Sequence, residues 1–164
     1  MSQKETPYSS NLAFIYENYP DSKNASSQQI FACKSIGPCV PSGELESGQI
    51  LCKAEYISIM PLSRAHLDLE NNDNGAEELG LNRTRLGDIA AGESVLKIIQ
   101  SKSSKYLVGE YVHVGGNLTE YKLLWDDGRD SNYKVPPSKV NCIFNSRKNN
   151  MAQNYGCWIM SDFK

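Results

Sequence analysis

Apolar and polar residues alternate most regularly between Tyr106 and Val140, and this stretch predicts the centre of the fold. Val108, Val112 and Val114 alternate with Leu107, Tyr111 and His113 along one strand, and Leu118 to Trp125 reads as a second. Gly115-Gly116-Asn117 between them accepts positive backbone angles, which is the chemistry of a tight hairpin turn. Side chains alternate with a period of two, so such a turn fixes which residues share a face. The predicted core face carries Val108, Val112, Val114, Tyr121, Leu123 and Trp125, with Glu110 out of place. The wetter face carries Leu107, Tyr111, His113, Leu118, Glu120, Lys122 and Leu124, with His113 beside Glu120 across the hairpin. A loop or bulge through Asp126–Asn132 leads into a short strand at Tyr133 to Val135. Pro136-Pro137 ends that strand, because proline has no N–H for the ladder. Val140 to Phe144 reads as one more short strand.

Upstream, Gln49 to Met60 is the next clearest alternation and Pro61 ends it. Ser94 to Ile99 predicts another strand, entered through a corner at Ile89–Glu93. Leu12 to Tyr16 is a short apolar burst that suits a strand or a helical turn, and Ile30 to Cys33 suits a strand. Tyr155 to Ile159 reads as a last strand, and Ala76 to Leu81 as an isolated helical turn. Met1–Ser10 is polar and expected to be flexible, leaving residues 11–164 as one β-rich domain. Seven or so short strands with turn signals between them predict an all-β, antiparallel sandwich with little helix, or alternatively a small barrel.

Length and composition agree with one soluble globular domain: 164 residues, 40% hydrophobic and 22% charged. The net charge of −2 gives no bulk attraction to nucleic acid or membrane. It is unevenly spread: residues 1–96 hold 7 basic and 13 acidic side chains, and residues 97–164 hold 10 and 6. No apolar run reaches the roughly 20 residues of a membrane helix. Met1–Tyr19 lacks the pattern of a signal peptide, so the expected location is the cytoplasm, or outside by a route that reads no such signal. The five cysteines, Cys33, Cys39, Cys52, Cys142 and Cys157, cannot all pair within the chain, and a reduced state is expected.

Few segments carry recognisable chemistry. Cys33 and Cys39 are spaced too widely for a usual zinc half-site, and no second half-site follows. Glu70-Asn71-Asn72-Asp73-Asn74-Gly75 imitates the opening of a calcium loop, but Leu81 stands where the closing acid belongs. No metal or cofactor is therefore expected. Cys142 or Cys157 with His113 and an acid could meet in space as a small hydrolase or transferase site, without any local signature. Aromatic residues are more informative: four of nine tyrosines lie between Tyr106 and Tyr133, together with Trp125. The run Tyr121 to Gly128 (YKLLWDDG) resembles the strand-turn of Tudor-like barrels, which hold methylated lysine in an aromatic cage. The expectation is a binding protein rather than an enzyme. The first ligand class is a glycan, held by Tyr111, His113, Trp125, Asp126, Asp127, Arg129 and Tyr133. The alternative partner is a protein, with this chain an inhibitor or assembly subunit.

Overall fold

A computed structural model describes residues 9–18, 30–40, 43–59, 85–130, 132–136, 140 and, for the backbone, 157–160. Eight strands are present among them: β1 Leu12–Tyr16, β2 Phe31–Ser35, β3 Gln49–Ile59, β4 Ala91–Ser101, β5 Tyr111–Asn117, β6 Tyr121–Trp125, β7 Tyr133–Val135 and β8 Cys157–Met160. β1 and β2 form a two-stranded antiparallel sheet, and the other six form a second sheet in the order β6-β3-β4-β5-β7, with β8 also on β3. All pairings are antiparallel, and neither sheet closes into a barrel. The all-β single domain predicted from alternation is the fold.

β3 and β4 form its spine because each is eleven residues long and rich in β-branched and aliphatic side chains. Their register slips between Leu51 and Cys52 and again between Ala54 and Tyr56. The first puts an extra residue, Ile99, into β4, and the second puts an extra residue, Glu55, into β3, where the inward-facing parity of β3 changes. Ile50, Cys52 and Ala54 therefore enter the main core, and Ile57, not Tyr56, joins them further along. Leu96, Ile98, Val112, Val114, Leu118 and Leu124 complete most of that core. On the opposite face Leu51 and Tyr121 pack beneath Val40 and Leu45, so this part of the sheet is covered on both sides.

The predicted hairpin does not form. β5 pairs with β4 and β7, whereas β6 pairs with β3. Gly115-Gly116-Asn117 continues β5 opposite Ala91, Gly92 and Glu93 instead of reversing the chain. The partner across the sheet claims the backbone groups that a turn would have used. With no direct pairing to link them, the parities of β5 and β6 are independent. Leu124 therefore shares the core with Val112 and Val114, while Tyr121 and Leu123 pack on the other face. The first strand also starts later than alternation suggests. Leu107 and Val108 sit in a turn closed by Glu110 N–H donating to the Leu107 carbonyl, and both are largely exposed.

Two further differences concern the ends of strands. β4 begins at Ala91, inside the expected corner. Of the strand expected at Val140 to Phe144 only Val140 is among the described residues, and it is helical: its N–H donates to the Pro136 carbonyl, and its side chain is buried against Val95 and Val135. The helical turn expected at Ala76–Leu81 and the loop at Glu70–Gly75 lie outside the described residues.

β1 ties the two sheets together. Its Phe14 and Tyr16 amides donate to the carbonyls of Leu118 and Asp88, and its Leu12 and Phe14 carbonyls accept from Glu120 and Ala90. The alternate backbone groups of β1 are thereby left to face β2.

The outer edge of β6 is sealed by side chains. Asn11 donates to the Tyr121 carbonyl (3.0 Å) and accepts from the Tyr121 amide (2.9 Å). The Leu123 amide donates to the Cys39 sulfur. Asp130 accepts from the Trp125 amide (2.6 Å), and Asn132 donates to the Trp125 carbonyl (3.0 Å). An edge strand with its hydrogen-bonding groups occupied is a poor template for another chain.

Candidate functional site

The seven residues singled out by sequence fall into two groups, one toward each end of the six-stranded sheet. Tyr111 and His113 on β5 meet Tyr133 on β7, because the register sets Tyr111 opposite Val135 and His113 opposite Tyr133. The His113 and Tyr133 rings lie 4.8 Å apart between centroids, inclined at 36°. Tyr133 is 56% exposed, while Tyr111 is half-buried against Val95, Val135 and Val140. The cross-strand rows extend this face: Tyr56, Val95, His113 and Tyr133 stand side by side on β3, β4, β5 and β7.

The acid beside His113 is Glu93, not Glu120. His113 Nε2 lies 3.0 Å from Glu93 Oε2. Glu120 instead pairs with Lys53 at 3.6 Å. The correction follows from topology, since β5 has β4 beside it where a hairpin would have placed the start of β6. Glu93 has no local signal that marks it, because only the β4–β5 register brings it to the imidazole. Gly115 lies opposite Glu93 and contributes no side chain to that corner of the face.

The second group is the turn that leaves β6. Arg129 lies over the Trp125 ring, 4.3 Å from guanidinium carbon to centroid, and its Nε donates to Asp127 Oδ2 at 2.8 Å. The guanidinium beside Asp127 holds that carboxyl below its ordinary range. Asp126 turns the other way, accepting from the Ser103 hydroxyl at 2.6 Å, while its backbone carbonyl accepts from Lys105 at 3.0 Å. These groups largely satisfy one another, and one face of the Trp125 ring is already covered. Among the described residues the exposed aromatic surface is therefore Tyr133, with His113 and Glu93 beside it.

A residue that sequence did not select stands on the inner face. Lys122 of β6 is opposite Cys52 of β3, and the flanking positions on that side are Leu124, Ile50 and Ala54. Burial pulls its ammonium down to about 8, against a smaller upward pull from the Cys52 sulfur. The only sequence signal was a lysine inside an otherwise apolar strand, and the expected hairpin parity put it on the wet face.

The Cys39 and Cys52 thiols are chemically quiet. Burial pushes Cys52 up to about 12 and Cys39 up to about 11. Thiols held so far above neutrality make poor nucleophiles. Cys33, Cys39 and Cys52 are all unbridged. His113 lies on the sheet face opposite Cys52, so these two do not form a nucleophile–base pair, and Cys142 and the Cys157 side chain lie outside the described residues. Among the described residues no cluster of three or more His, Cys, Asp or Glu side chains is placed to hold a metal ion. No helix among them is long and apolar enough to cross a membrane.

No protein-family model and no curated protein sequence matches this chain. Solved structures do resemble it. CurA from Vibrio vulnificus matches at a TM-score of 0.52 with 17% identity, over 76% of this chain and 31% of that one. A mutant enoyl thioester reductase from Candida tropicalis matches at 0.51 with 15% identity, over 90% of this chain and 38% of that one. The complex of Etr1p with NADP and crotonyl-CoA matches at 0.51 with 15% identity, over 82% and 36%. At such identities the likeness is one of fold. The chain spans about a third of the length of each of these proteins.

Proposed function

We propose that this chain is a domain that holds an acyl thioester. The carrying observation is that most of this chain overlays one third of enzymes described as enoyl thioester reductases, one of them bound to NADP and crotonyl-CoA. Dinucleotides are usually bound at the carboxyl ends of a parallel sheet flanked by helices. The strands described here are all antiparallel, which favours assigning this domain to the acyl reactant and not to the nucleotide. Binding without chemistry of its own is the activity assigned to the isolated chain. The test is thermal unfolding with crotonyl-CoA and, separately, NADPH, since a ligand of the native state raises the melting temperature by mass action. A rise with crotonyl-CoA alone is expected. A rise with NADPH alone, or with neither, overturns the reading.

A second reading keeps the glycan or protein partner anticipated from sequence, and one observation favours it: Tyr133 is 56% exposed beside His113. An aromatic face flanked by a carboxylate suits a sugar or an amphipathic partner surface. Here Tyr133→Ala should weaken binding to a glycan panel while leaving the melting temperature within about 2 °C, because the residue is outside the core. Equal binding by wild type and variant, or no glycan binding at all, removes the sugar from consideration.

A further inference from the structure

Gly115 has no structural need to be glycine. Its backbone lies outside the left-handed region, and among the described residues a Cβ there would meet nothing nearer than the Gly92 carbonyl oxygen at 3.9 Å. β-Branched residues suit such a strand position better. What the glycine leaves is a recess on the exposed face of β5. Glu93 of β4 stands across from it, and His113, two residues earlier on β5, stands across from Tyr133 of β7. The Leu118 amide bonds the Ala90 carbonyl, so by alternation Glu93 and Gly115 are a non-hydrogen-bonded pair, the kind whose side chains lie closest. Yet neither neighbour fills the space. Glu93 turns Oε2 to His113 at 3.0 Å, and the Tyr133 ring packs on the same imidazole, 4.8 Å between centroids. Glu93 Oε1 has no partner among the described residues, and the side chain is 39% exposed, beside a Tyr133 that is 56% exposed.

A recess the size of one missing side chain admits an extended chain and excludes a bulky ring system. Its walls specify what that chain must carry. An aromatic face takes hydrocarbon or the flat of an amide, and a carboxylate oxygen without a donor takes an N–H. The same charge repels phosphate. We propose that the recess over Gly115 seats the pantetheine arm of an acyl thioester, with an arm amide donating to Glu93 Oε1 and the neighbouring methylenes lying on the Tyr133 ring. The assignment rests on the reading of this chain as an acyl-thioester domain and names the part of the ligand that is gripped. The arm is thin, it is uncharged, and it carries secondary amides between short methylene runs, so it meets the size, the charge and the donor requirement together. The phosphates of a coenzyme A thioester then lie outside the recess, away from Glu93.

The experiment is an NMR titration of the full chain that follows the ring signals of Tyr133 and His113. The probes are crotonyl thioesters of pantetheine, of N-acetylcysteamine and of methanethiol, which offer two amides, one amide and none. The pantetheine thioester should bind about tenfold more tightly than the methyl thioester, as a hydrogen bond to a charged acceptor implies. Gly115→Val fills the recess with a residue that suits a strand, so the melting temperature should hold. In that variant the preference should vanish while the methyl thioester binds as before. Glu93→Gln keeps the shape but loses the charge, and the preference should drop to about threefold. Equal affinity for the pantetheine and methyl thioesters overturns the proposal, even where crotonyl-CoA binds and the acyl-thioester reading stands. So does a tenfold preference that survives either Gly115→Val or Glu93→Gln. Free pantetheine separates the two readings. If it moves the Tyr133 signals of wild type and not of Gly115→Val, while crotonyl-CoA leaves the melting temperature unchanged, the recess is upheld as an amide-arm site and the acyl-thioester reading fails.

Discussion

Gly92 shows how a single residue fixes where two strands may meet. A Cβ built there would overlap the Ser58 carbonyl oxygen and press on the Leu118 methyl carbons at 3.2 and 3.3 Å. Its backbone does not require glycine's conformational freedom, so the constraint is space and not dihedral angle. Ser58 belongs to the spine strand and Leu118 to the core, so neither is a flexible side-chain end that can swing aside. Gly92→Ala should therefore destabilise the fold by roughly 2–3 kcal/mol, in the range of overpacked cores. Urea denaturation measures this directly, and an unchanged midpoint would show that β3 and β4 are free to separate at this end. Gly116 differs: its φ is 109° and nothing lies within 4 Å of an added Cβ, so replacement there strains the backbone instead. Both glycines occur beside small or polar residues in the sequence. One reads as part of a corner and the other as a turn, and neither role is the one observed. Steric closeness across strands leaves no trace in the local sequence.

The strands themselves were largely legible because alternation is a local property. β3 was expected at Gln49–Met60 and runs Gln49–Ile59, and β7 falls at Tyr133–Val135 as the loop and the proline pair require. Pairing was not legible, because it is settled by competition among distant partners. Gly115-Gly116-Asn117 has good turn chemistry, yet pairing with Ala91–Glu93 satisfies its backbone within a larger sheet. The candidate site inherits both halves of this. Tyr111, His113 and Tyr133 do share a face, but Glu93 joins them only through β4, and Trp125 with Asp127 and Arg129 leaves for the other edge strand. The sealed edge of β6 gives a prediction at this scale. Asn11 is buried and makes two backbone hydrogen bonds to Tyr121, so Asn11→Ala strands the Tyr121 amide, while the Tyr121 carbonyl keeps the Thr119 hydroxyl at 2.8 Å. The expected cost is on the order of 2 kcal/mol. The opened edge should also promote self-association, visible as a concentration-dependent rise in light scattering. Asn11→Asp, which still accepts from the Tyr121 amide but cannot donate, should fall between. A monomeric, fully stable Asn11→Ala would show that water replaces the side chain without loss.

For the whole molecule, three buried groups on β6, on β3 and in the loop over them shape stability against pH. Lys122 titrates near 8 in the folded state and near 10.5 when exposed, so between these values the unfolded chain holds the extra proton. Stability consequently rises with pH through that window. Cys52 and Cys39 act in the opposite sense, because their folded values near 12 and 11 lie above the ordinary 9.0. From about pH 9 upward the unfolded chain loses thiol protons that the folded chain keeps, and stability falls. One rising contribution that starts first and two falling ones that start later should leave a shallow maximum near pH 9, less than about 1 kcal/mol high. Lys122→Met separates the terms. It removes the buried charge, so at pH 7 it should be more stable than wild type by on the order of 2 kcal/mol, with the advantage shrinking to nothing by about pH 10.5. Denaturation of both proteins at pH 7, 9 and 10.5 tests the sign as well as the size. An advantage for Lys122→Met that is constant across the range would mean that the lysine is charged and hydrated like any surface residue.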